Sequence, residues 1–294
     1  MSMFAEFGFT SDDGLRLSGR LYGTLFPDAL PLVCLPGLTR NARDFHRFAE
    51  IVTQTPDAPP VIALDYRGRG RSAWAADAAT YTVLQEAKDV LAALAHLGVG
   101  RAVFVGTSRG ALVIHMLALL APGALAAAVL NDAGPRIEAE GLRLIRNALR
   151  QSAPLPDWPA AIDHVAATYA PSFPALGQAD FERMARALYR ESEDGIIADF
   201  DPRLTEQMAL LDLDQPLPEL WQAFEALRSV PVMVIRGERS RLLAAETVLR
   251  MQALHPKLVA VEVAGQGHAP MLETGNLPDL IMEFAERAKT RASV

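Results

Sequence analysis

A serine flanked by glycines is the residue of this sequence with the clearest chemical potential. Ser108 lies in the pentapeptide Gly-Thr-Ser-Arg-Gly at positions 106–110, directly after the apolar run Ala102–Val105 and before the apolar stretch Ala111–Leu120. A strand, this pentapeptide and a helix together form a sharp turn that exposes the serine hydroxyl as a nucleophile. Both glycines are needed because the turn brings backbone against backbone, where a Cβ would clash. The N-terminus of the following helix adds partial positive charge where an oxyanion develops.

A serine hydroxyl is a weak nucleophile at neutral pH and needs a base, for which the best candidate is His268. This histidine lies in the loop Gly265–Pro270, just past the last strand-like run, and is the last of six histidines in the chain. Loops at strand ends often carry catalytic groups. Of the other histidines, His115 falls on the apolar helix after Ser108 and is interpreted as a core residue. His164 lies in a region that could contact a substrate.

The composition narrows the class of protein. The chain has 294 residues, is 50% hydrophobic and carries a formal net charge of −7, which suits one large α/β domain with an inserted subdomain. It has no basic tract and no apolar stretch long enough to span a bilayer, so we expect neither a nucleic-acid nor a membrane partner. The one cysteine, Cys34, excludes an internal disulfide and is interpreted as a buried, inert thiol, which favours a cytoplasmic location.

Strand-like and helix-like runs alternate along most of the chain, which predicts a mostly parallel sheet covered by helices on both faces. About eight strands are predicted: Phe4–Phe9 and Leu15–Tyr22 as an opening hairpin, then Pro31–Leu35, Val61–Leu64, Ala102–Val105, Leu125–Leu130, Val230–Ile235 and Leu258–Val263. The helices predicted to cover the sheet are Ala42–Val52, Tyr81–Leu97, Ser108–Ala121, Ala244–Leu254 and Pro278–Lys289.

The alternation fails between Leu130 and Val230. This part of the chain is typical of several helices broken by prolines, predicted over Glu140–Gln151, Pro159–Tyr169, Asp180–Glu191 and Glu219–Leu227. Such an insertion is too long for a loop. We therefore predict a helical cap over residues 135–226, above the carboxyl ends of the strands, where open α/β sheets place their sites. Residues 1–134 and 227–294 would form the core.

Five segments carry a resemblance to a known family: Leu35–Arg40, Asp65–Ser72, Gly106–Gly110, Asn131–Pro135 and Gly267-His268. Together they resemble the α/β-hydrolase superfamily, and specifically its capped members of the esterase, lactonase and carbon–carbon hydrolase type. The likeness covers almost the full length of the chain. It is specific for the fold and much less so for the substrate.

The resemblance implies an oxyanion hole made from two backbone N–H groups, those of Leu38 and Arg109. The sequence shows no metal-ligand spacing and no Gly-rich phosphate-binding loop, so we expect neither a cofactor nor a metal. Many relatives have His-Gly where this chain has Pro36-Gly37. The role survives that change, because the donor is a backbone N–H. The stretch Asp65–Ser72 is interpreted as architectural.

The acid that should orient His268 is the open point of the sequence. Similar proteins usually carry it after the seventh strand, in a stretch like Gly-Glu-x-Ser-Asp, but this chain has Arg241 where the aspartate is expected. An arginine cannot accept the histidine N–H and opposes the imidazolium that forms in catalysis. Asp132, at the end of the sixth strand, is one replacement, and Glu238 is the alternative. A dyad without an acid and a disabled enzyme also remain open, and Arg241 itself is expected to pair with Asp132 or Glu238.

These residues predict a cofactor-independent serine hydrolase that cleaves an ester, a lactone or an activated C–C bond through an acyl-enzyme. The substrate is expected to be a small, mainly apolar molecule, and the chain a monomer or a homodimer. One alternative is a receptor-like protein that binds a ligand without turnover, as Arg241 suggests. The other is a cofactor-free perhydrolase. Arg143, Arg146 and Arg150 share one predicted helix face, either a solvated surface or an anchor for a substrate carboxylate.

Overall fold

The computed structural model describes residues 3–27, 29–55, 57–149 and 153–291. These residues form an eight-stranded sheet. The strands are β1 (Phe4–Thr10), β2 (Arg16–Tyr22), β3 (Leu32–Leu35), β4 (Val61–Asp65), β5 (Ala102–Thr107), β6 (Leu125–Asn131), β9 (Val232–Gly237) and β10 (Val259–Val263). Their order across the sheet is β1-β2-β4-β3-β5-β6-β9-β10. Strand β2 is antiparallel to both of its neighbours, β1 and β4, and all neighbouring strands from β4 to β10 are parallel to one another. The predicted strands are confirmed, and each has the expected place in the chain.

The central strands are apolar along their whole length because helices cover both of their faces. The helices that pack on the sheet are, in chain order, α1 (His46–Val52), α2 (Val83–Leu97), α3 (Arg109–Leu120), α9 (Ala245–Leu254) and α10 (Leu277–Arg291). On one face α1 and α10 pack against the sheet, and on the other α2, α3 and α9 do so. Cys34 in β3 is fully buried, as its apolar run predicted. No helix within the described residues is long and apolar enough to cross a bilayer.

The chain between β6 and β9 forms an insertion, residues 132–231, which carries its own small apolar clusters. Its elements are α4 (Ala139–Leu149), α5 (Trp158–Tyr169), α6 (Gln178–Leu188), β7 (Tyr189–Ser192), β8 (Gly195–Ala198), α7 (Arg203–Leu210) and α8 (Trp221–Glu225).

The insertion is not all helical, which corrects part of the sequence prediction. The helix expected over Asp180–Glu191 ends at Leu188, and the chain continues as the hairpin β7–β8. Gly195 enables this turn, since its φ is 115° and an added Cβ would lie 2.4 Å from the Leu155 carbonyl oxygen. Helix α7 was not predicted at all. The hairpin is stabilised by a bridge between Leu155 and Ile196, a long-range pairing with no local sequence signal.

His115 is a fully buried histidine on α3, as expected for a core residue. Its Nδ1 donates to the Ala111 carbonyl at 2.7 Å, and its buried Nε2 has no partner among the described residues. A second proton would therefore sit on a buried nitrogen for which no described residue provides an acceptor. Burial lowers the pKa of His115 to about 4.

This pKa predicts an acid-sensitive fold. The unfolded chain binds the proton at a pKa of about 6.5, so the stability that neutral His115 provides is lost as the pH falls from about 6.5 towards 4. We expect urea unfolding of the wild type to lose about 2 kcal/mol more than that of His115→Phe between pH 7 and pH 5. Equal losses in the two proteins would show that His115 does not carry this proton linkage.

Candidate active site

Ser108 occupies the turn between β5 and α3. Its backbone has φ 54° and ψ −113°, a strained conformation for a residue with a side chain, and its N–H donates to the Asn131 carbonyl at 2.8 Å. The two neighbouring glycines permit this turn. A Cβ on Gly106 would lie 2.4 Å from the Gly110 carbonyl carbon, and one on Gly110 would lie 2.1 Å from the Leu35 oxygen. The hydroxyl is thereby presented at the carboxyl edge of the sheet.

The imidazole of His268 lies beside this hydroxyl. Its Nε2 is 2.8 Å from Ser108 Oγ, and its Nδ1 is 2.7 Å from Asp132 Oδ2. His268 comes from the loop after β10, Ser108 from the end of β5, and Asp132 from the end of β6. Residues separated by 160 and 136 positions in the chain are thus brought into one hydrogen-bonded line.

Asp132 is fully buried and both of its carboxylate oxygens are engaged. While Oδ2 faces His268, Oδ1 accepts a hydrogen bond from the Gly237 N–H at 2.9 Å. The Asp132 backbone has φ 57° and its N–H donates to the Ile235 carbonyl at 2.7 Å. These contacts hold the carboxylate in one orientation towards the imidazole.

The other candidate acid and the anomalous arginine lie elsewhere. Glu238 is exposed, and its Oε2 accepts from the Gly265 N–H at 2.6 Å. Arg241 is also exposed and lies 3.6 Å from Glu140 on α4. The expectation that Arg241 pairs with Asp132 or Glu238 is therefore wrong, because its side chain extends into solvent towards the insertion. The structure brings Asp132, and not Glu238, to the histidine.

The sequence predicted the backbone N–H groups of Leu38 and Arg109 as oxyanion donors, and both residues lie near Ser108. Arg109 is the first residue of α3, so its N–H has no acceptor within the helix. Leu38 follows Gly37, and a Cβ on Gly37 would lie 3.8 Å from Ser108 Cβ. The Gly37–Leu38 loop therefore borders Ser108.

A buried carboxylate on α2 connects both of these segments. Glu86 is fully buried, and its Oε2 accepts from Arg109 Nε at 2.6 Å. Its Oε1 lies 3.0 Å from Arg69 Nη1, and Arg69 Nε donates to the Leu38 carbonyl at 2.7 Å. One carboxylate thus connects Arg109, the residue after Ser108, to the loop that contains Leu38.

Sequence reasoning assigned the stretch containing Arg69 to architecture but missed Glu86. A signal was present, since Glu86 and Asp89 are acids on the otherwise apolar face of an amphipathic helix. Asp89 is likewise buried and binds Arg67 through two hydrogen bonds of 2.7 Å. Buried acids in such positions are rare unless they are paired.

The hydroxyl of Ser108 opens onto a cavity of about 880 Å³ between the sheet edge and the insertion. Apolar side chains of α4, α5 and α6 form much of its wall, among them Leu144, Ile145, Ala148, Ala167 and Met184, and Phe173 of the loop between α5 and α6 adds to it. His164 lines it too, where sequence analysis expected a substrate contact. The room suits a small organic molecule.

Charged residues that the sequence analysis did not single out also line this cavity, among them Arg40, Asp44, Arg183 and Glu273. The carboxyl of Glu273 lies 3.8 Å from Arg183 Nε, and burial raises the pKa of Glu273 to about 7.

The arginines proposed from sequence as a carboxylate anchor are engaged within the insertion. Arg143 donates to the Leu213 carbonyl at 2.7 Å, and Arg146 donates to the Leu211 carbonyl at 3.3 Å. Arg150 lies outside the described residues.

Comparison with known proteins was made on sequence and on structure. The model of the alpha/beta hydrolase family matches residues 32–277. The 3-hydroxybutyrate-oligomer hydrolase of Cupriavidus necator is 32% identical over 251 residues, which are 81% of this chain and 82% of the relative. The 2-(acetamidomethylene)succinate hydrolase of Mesorhizobium japonicum is 27% identical over 234 residues, 79% of each chain.

Among solved structures, an alpha/beta hydrolase from Novosphingobium aromaticivorans superposes with a TM-score of 0.88 at 35% sequence identity. The match covers 98% of this chain and 99% of that one. The family match, the relatives and the shared architecture agree on one family. The chain belongs to the alpha/beta hydrolase family and is a hydrolase.

Proposed function

We propose that this hydrolase uses Ser108 as its nucleophile, His268 as its general base and Asp132 as the group that orients the base. The observation that carries the proposal is the unbroken hydrogen-bonded line from Asp132 Oδ2 through the imidazole to Ser108 Oγ, with distances of 2.7 and 2.8 Å. Asp132 holds the proton of the imidazole on Nδ1, which leaves Nε2 free to take the serine proton.

In the reaction that follows, Ser108 Oγ attacks the carbonyl carbon of the substrate while its proton passes to His268 Nε2. The imidazolium then gives this proton to the leaving group as the bond to the acyl carbon breaks. Water, deprotonated by the same nitrogen, attacks the acyl-enzyme, and the proton returns to Ser108 Oγ as the acid leaves. Asp132 stays ionised and stabilises the imidazolium at both stages.

The negative oxygen of each tetrahedral intermediate is received by the N–H groups of Leu38 and Arg109. Each such donor typically stabilises the transition state by roughly 2.7–4 kcal/mol. The N-terminus of α3 points at the same oxygen and adds its partial positive charge.

Residues 135–226 act in this proposal as a cap that closes the cavity over Ser108. Support comes from the apolar side chains that α4 and α6 contribute to the cavity wall. We infer a small substrate with an ester, lactone or activated C–C bond. The names of the relatives describe enzymes acting on 3-hydroxybutyrate oligomers and on 2-(acetamidomethylene)succinate. The ligand-binder alternative rested on Arg241, whose nearest charged partner is Glu140 and not the histidine.

A covalent probe tests the nucleophile. A fluorophosphonate reacts with an activated serine, so it should label the wild type on Ser108 and leave Ser108→Ala unlabelled, as read by intact-mass spectrometry and peptide mapping. A burst of p-nitrophenol from p-nitrophenyl acetate, equal to the enzyme concentration, should accompany labelling. Labelling at another residue, or none, would remove Ser108 from the mechanism.

The two candidate acids can be ranked by matched amide substitutions. Asp132→Asn keeps an acceptor for Gly237 but presents an N–H to Nδ1, which stabilises the wrong tautomer. A comparable change costs about 10⁴-fold in kcat in the best-studied triad, and we expect a loss of several hundredfold or more here. Glu238→Gln retains its acceptor for Gly265 and should change kcat by less than about threefold. The reverse ranking in stopped-flow assays would give the role to Glu238.

The contacts of Glu86 predict an effect on the transition state. Glu86→Gln should lower kcat about tenfold or more with little change in KM, because both donor segments lose their shared charge partner. Asp89→Asn is the matched control, since Asp89 is a buried carboxylate of the same helix that binds Arg67 and neither donor segment. It should reduce stability in thermal melts while kcat stays near that of the wild type. An equal fall in kcat in both variants would show a general loss of folding.

A further inference from the structure

The wall of the cavity is much more basic than the rest of the molecule. The formal net charge of the whole chain is −7. Within the described part of the chain, however, the residues lining the cavity include eight arginines and two carboxylates. These arginines are Arg20, Arg40, Arg43, Arg47, Arg183, Arg186, Arg239 and Arg241, and the carboxylates are Asp44 and Glu273. A cleft with such a charge balance and low-dielectric walls concentrates anions.

Most of these arginines have contacts that occupy them away from the nucleophile. They bind carboxylates or carbonyl groups of their own surroundings: Arg43 with Asp199, Arg47 with Glu50, Arg183 with Asp180, Arg186 with Glu182, Arg239 with the Pro171 carbonyl and Arg241 with Glu140. These arginines contribute a positive electrostatic potential to the cavity and do not form a defined binding site.

Arg40 differs from them in its position. It lies in the same turn as the candidate oxyanion donor Leu38, and its own N–H donates to the Gly37 carbonyl at 3.2 Å. A Cβ on Gly37 would be 3.1 Å from Arg40 Cγ and 3.8 Å from Ser108 Cβ. A single backbone residue thus separates the Arg40 stem from the nucleophile.

Arg40 also has free hydrogen-bonding capacity. Its Nε donates to Asp44 Oδ2 at 2.6 Å, which fixes the plane of the guanidinium. No described residue accepts a hydrogen bond from its Nη1 or Nη2, and its side chain is 22% exposed in the cavity wall. Burial, the largest influence, would lower the pKa of Arg40, but the Asp44 carboxylate together with Tyr169 and Glu273 outweighs it and raises the pKa, so the group stays charged. Two parallel donors at the end of a fixed guanidinium match the two oxygens of a carboxylate.

The two carboxylates that line the cavity do not occupy the free donors of Arg40, so the guanidinium can still bind a carboxylate of a ligand. Asp44 is engaged by Arg40 Nε on the side of the guanidinium that does not carry the free donors. The side chain of Glu273 is only 5% exposed, and its raised pKa of about 7 leaves it partly neutral at neutral pH.

From these observations we propose that the substrate carries a carboxylate close to its scissile carbonyl, and that Arg40 binds this carboxylate through Nη1 and Nη2. The proposal rests on the proposed function, because it places the carboxylate relative to Ser108 and the oxyanion donors. Since Arg40 and Leu38 belong to one tight turn, an anchored carboxylate fixes where the carbonyl meets the nucleophile. The expected substrates are half-esters of short dicarboxylic acids and esters or oligoesters of similar acids with a free carboxyl end.

The test compares two esters of equal chain length, monomethyl glutarate and methyl valerate, which differ in a terminal carboxylate. We expect wild-type kcat/KM to be higher for monomethyl glutarate. In Arg40→Gln this preference should fall about tenfold to a hundredfold, the range of a charge-assisted hydrogen-bonded pair. Arg40→Gln combined with Asp44→Asn leaves no unpaired carboxylate and should show the same fall. Arg47→Gln removes the same charge from the cavity rim, where Arg47 pairs with Glu50, and should keep the preference.

The outcomes separate the two proposals. Equal kcat/KM for both esters, or a preference that survives in both Arg40 variants, overturns the carboxylate subsite even when Ser108 is labelled by the fluorophosphonate. A preference that Arg47→Gln removes equally would assign it to the general field and also overturn the subsite. If neither ester is cleaved, glutarate binding to the wild type is measured by calorimetry. Binding that Arg40→Gln abolishes supports the subsite, and absence of binding overturns it. Failure of fluorophosphonate labelling overturns the serine mechanism alone.

Discussion

The hydrogen bond between Asp132 and His268 is the interaction on which the arrangement of the site depends. It joins the end of β6 to the loop after β10 and so fixes the imidazole against Ser108, which stands at the end of β5. None of these three side chains is held in place by its own segment alone. The parallel sheet holds them together, because its strands end at one edge and lie only about 4.8 Å apart.

The same spacing accounts for a carboxylate beside His268 even though Arg241 stands where the acid was expected. The resemblance led us to expect the acid after the strand that is β9, whereas the carboxylate beside His268 comes from the end of the neighbouring β6. Asp132 Oδ1 accepts the N–H of Gly237, the last residue of β9, so its carboxylate occupies the end of that strand as well. A move by one strand therefore changes the origin of the carboxylate without moving it away from the imidazole.

A second layer of buried charges supports the loops around Ser108. Ion pairs within a protein interior gain little net stability, because desolvation offsets most of their attraction. Their value here is geometric. Glu86 holds Arg109 and, through Arg69, the carbonyl of Leu38. These contacts fix the distance between two segments that are far apart in the chain. The arginines around the cavity act differently, since they set a field for an incoming molecule and one of them, Arg40, retains unused donors.

Local sequence determined the strands, most of the helices, the turn at Ser108 and the loop histidine at His268, because each depends on periodicity or on glycines within a few residues. It did not determine the hairpin β7–β8 or helix α7, whose stability comes from long-range contacts such as that of Leu155 with Ile196. The choice of Asp132 over Glu238 at the histidine was likewise decided by tertiary structure, as were the positions of Glu86 and Arg40. A carboxylate or a guanidinium acts on whatever lies within about 3 Å of it, and only the folded chain decides which groups come that close.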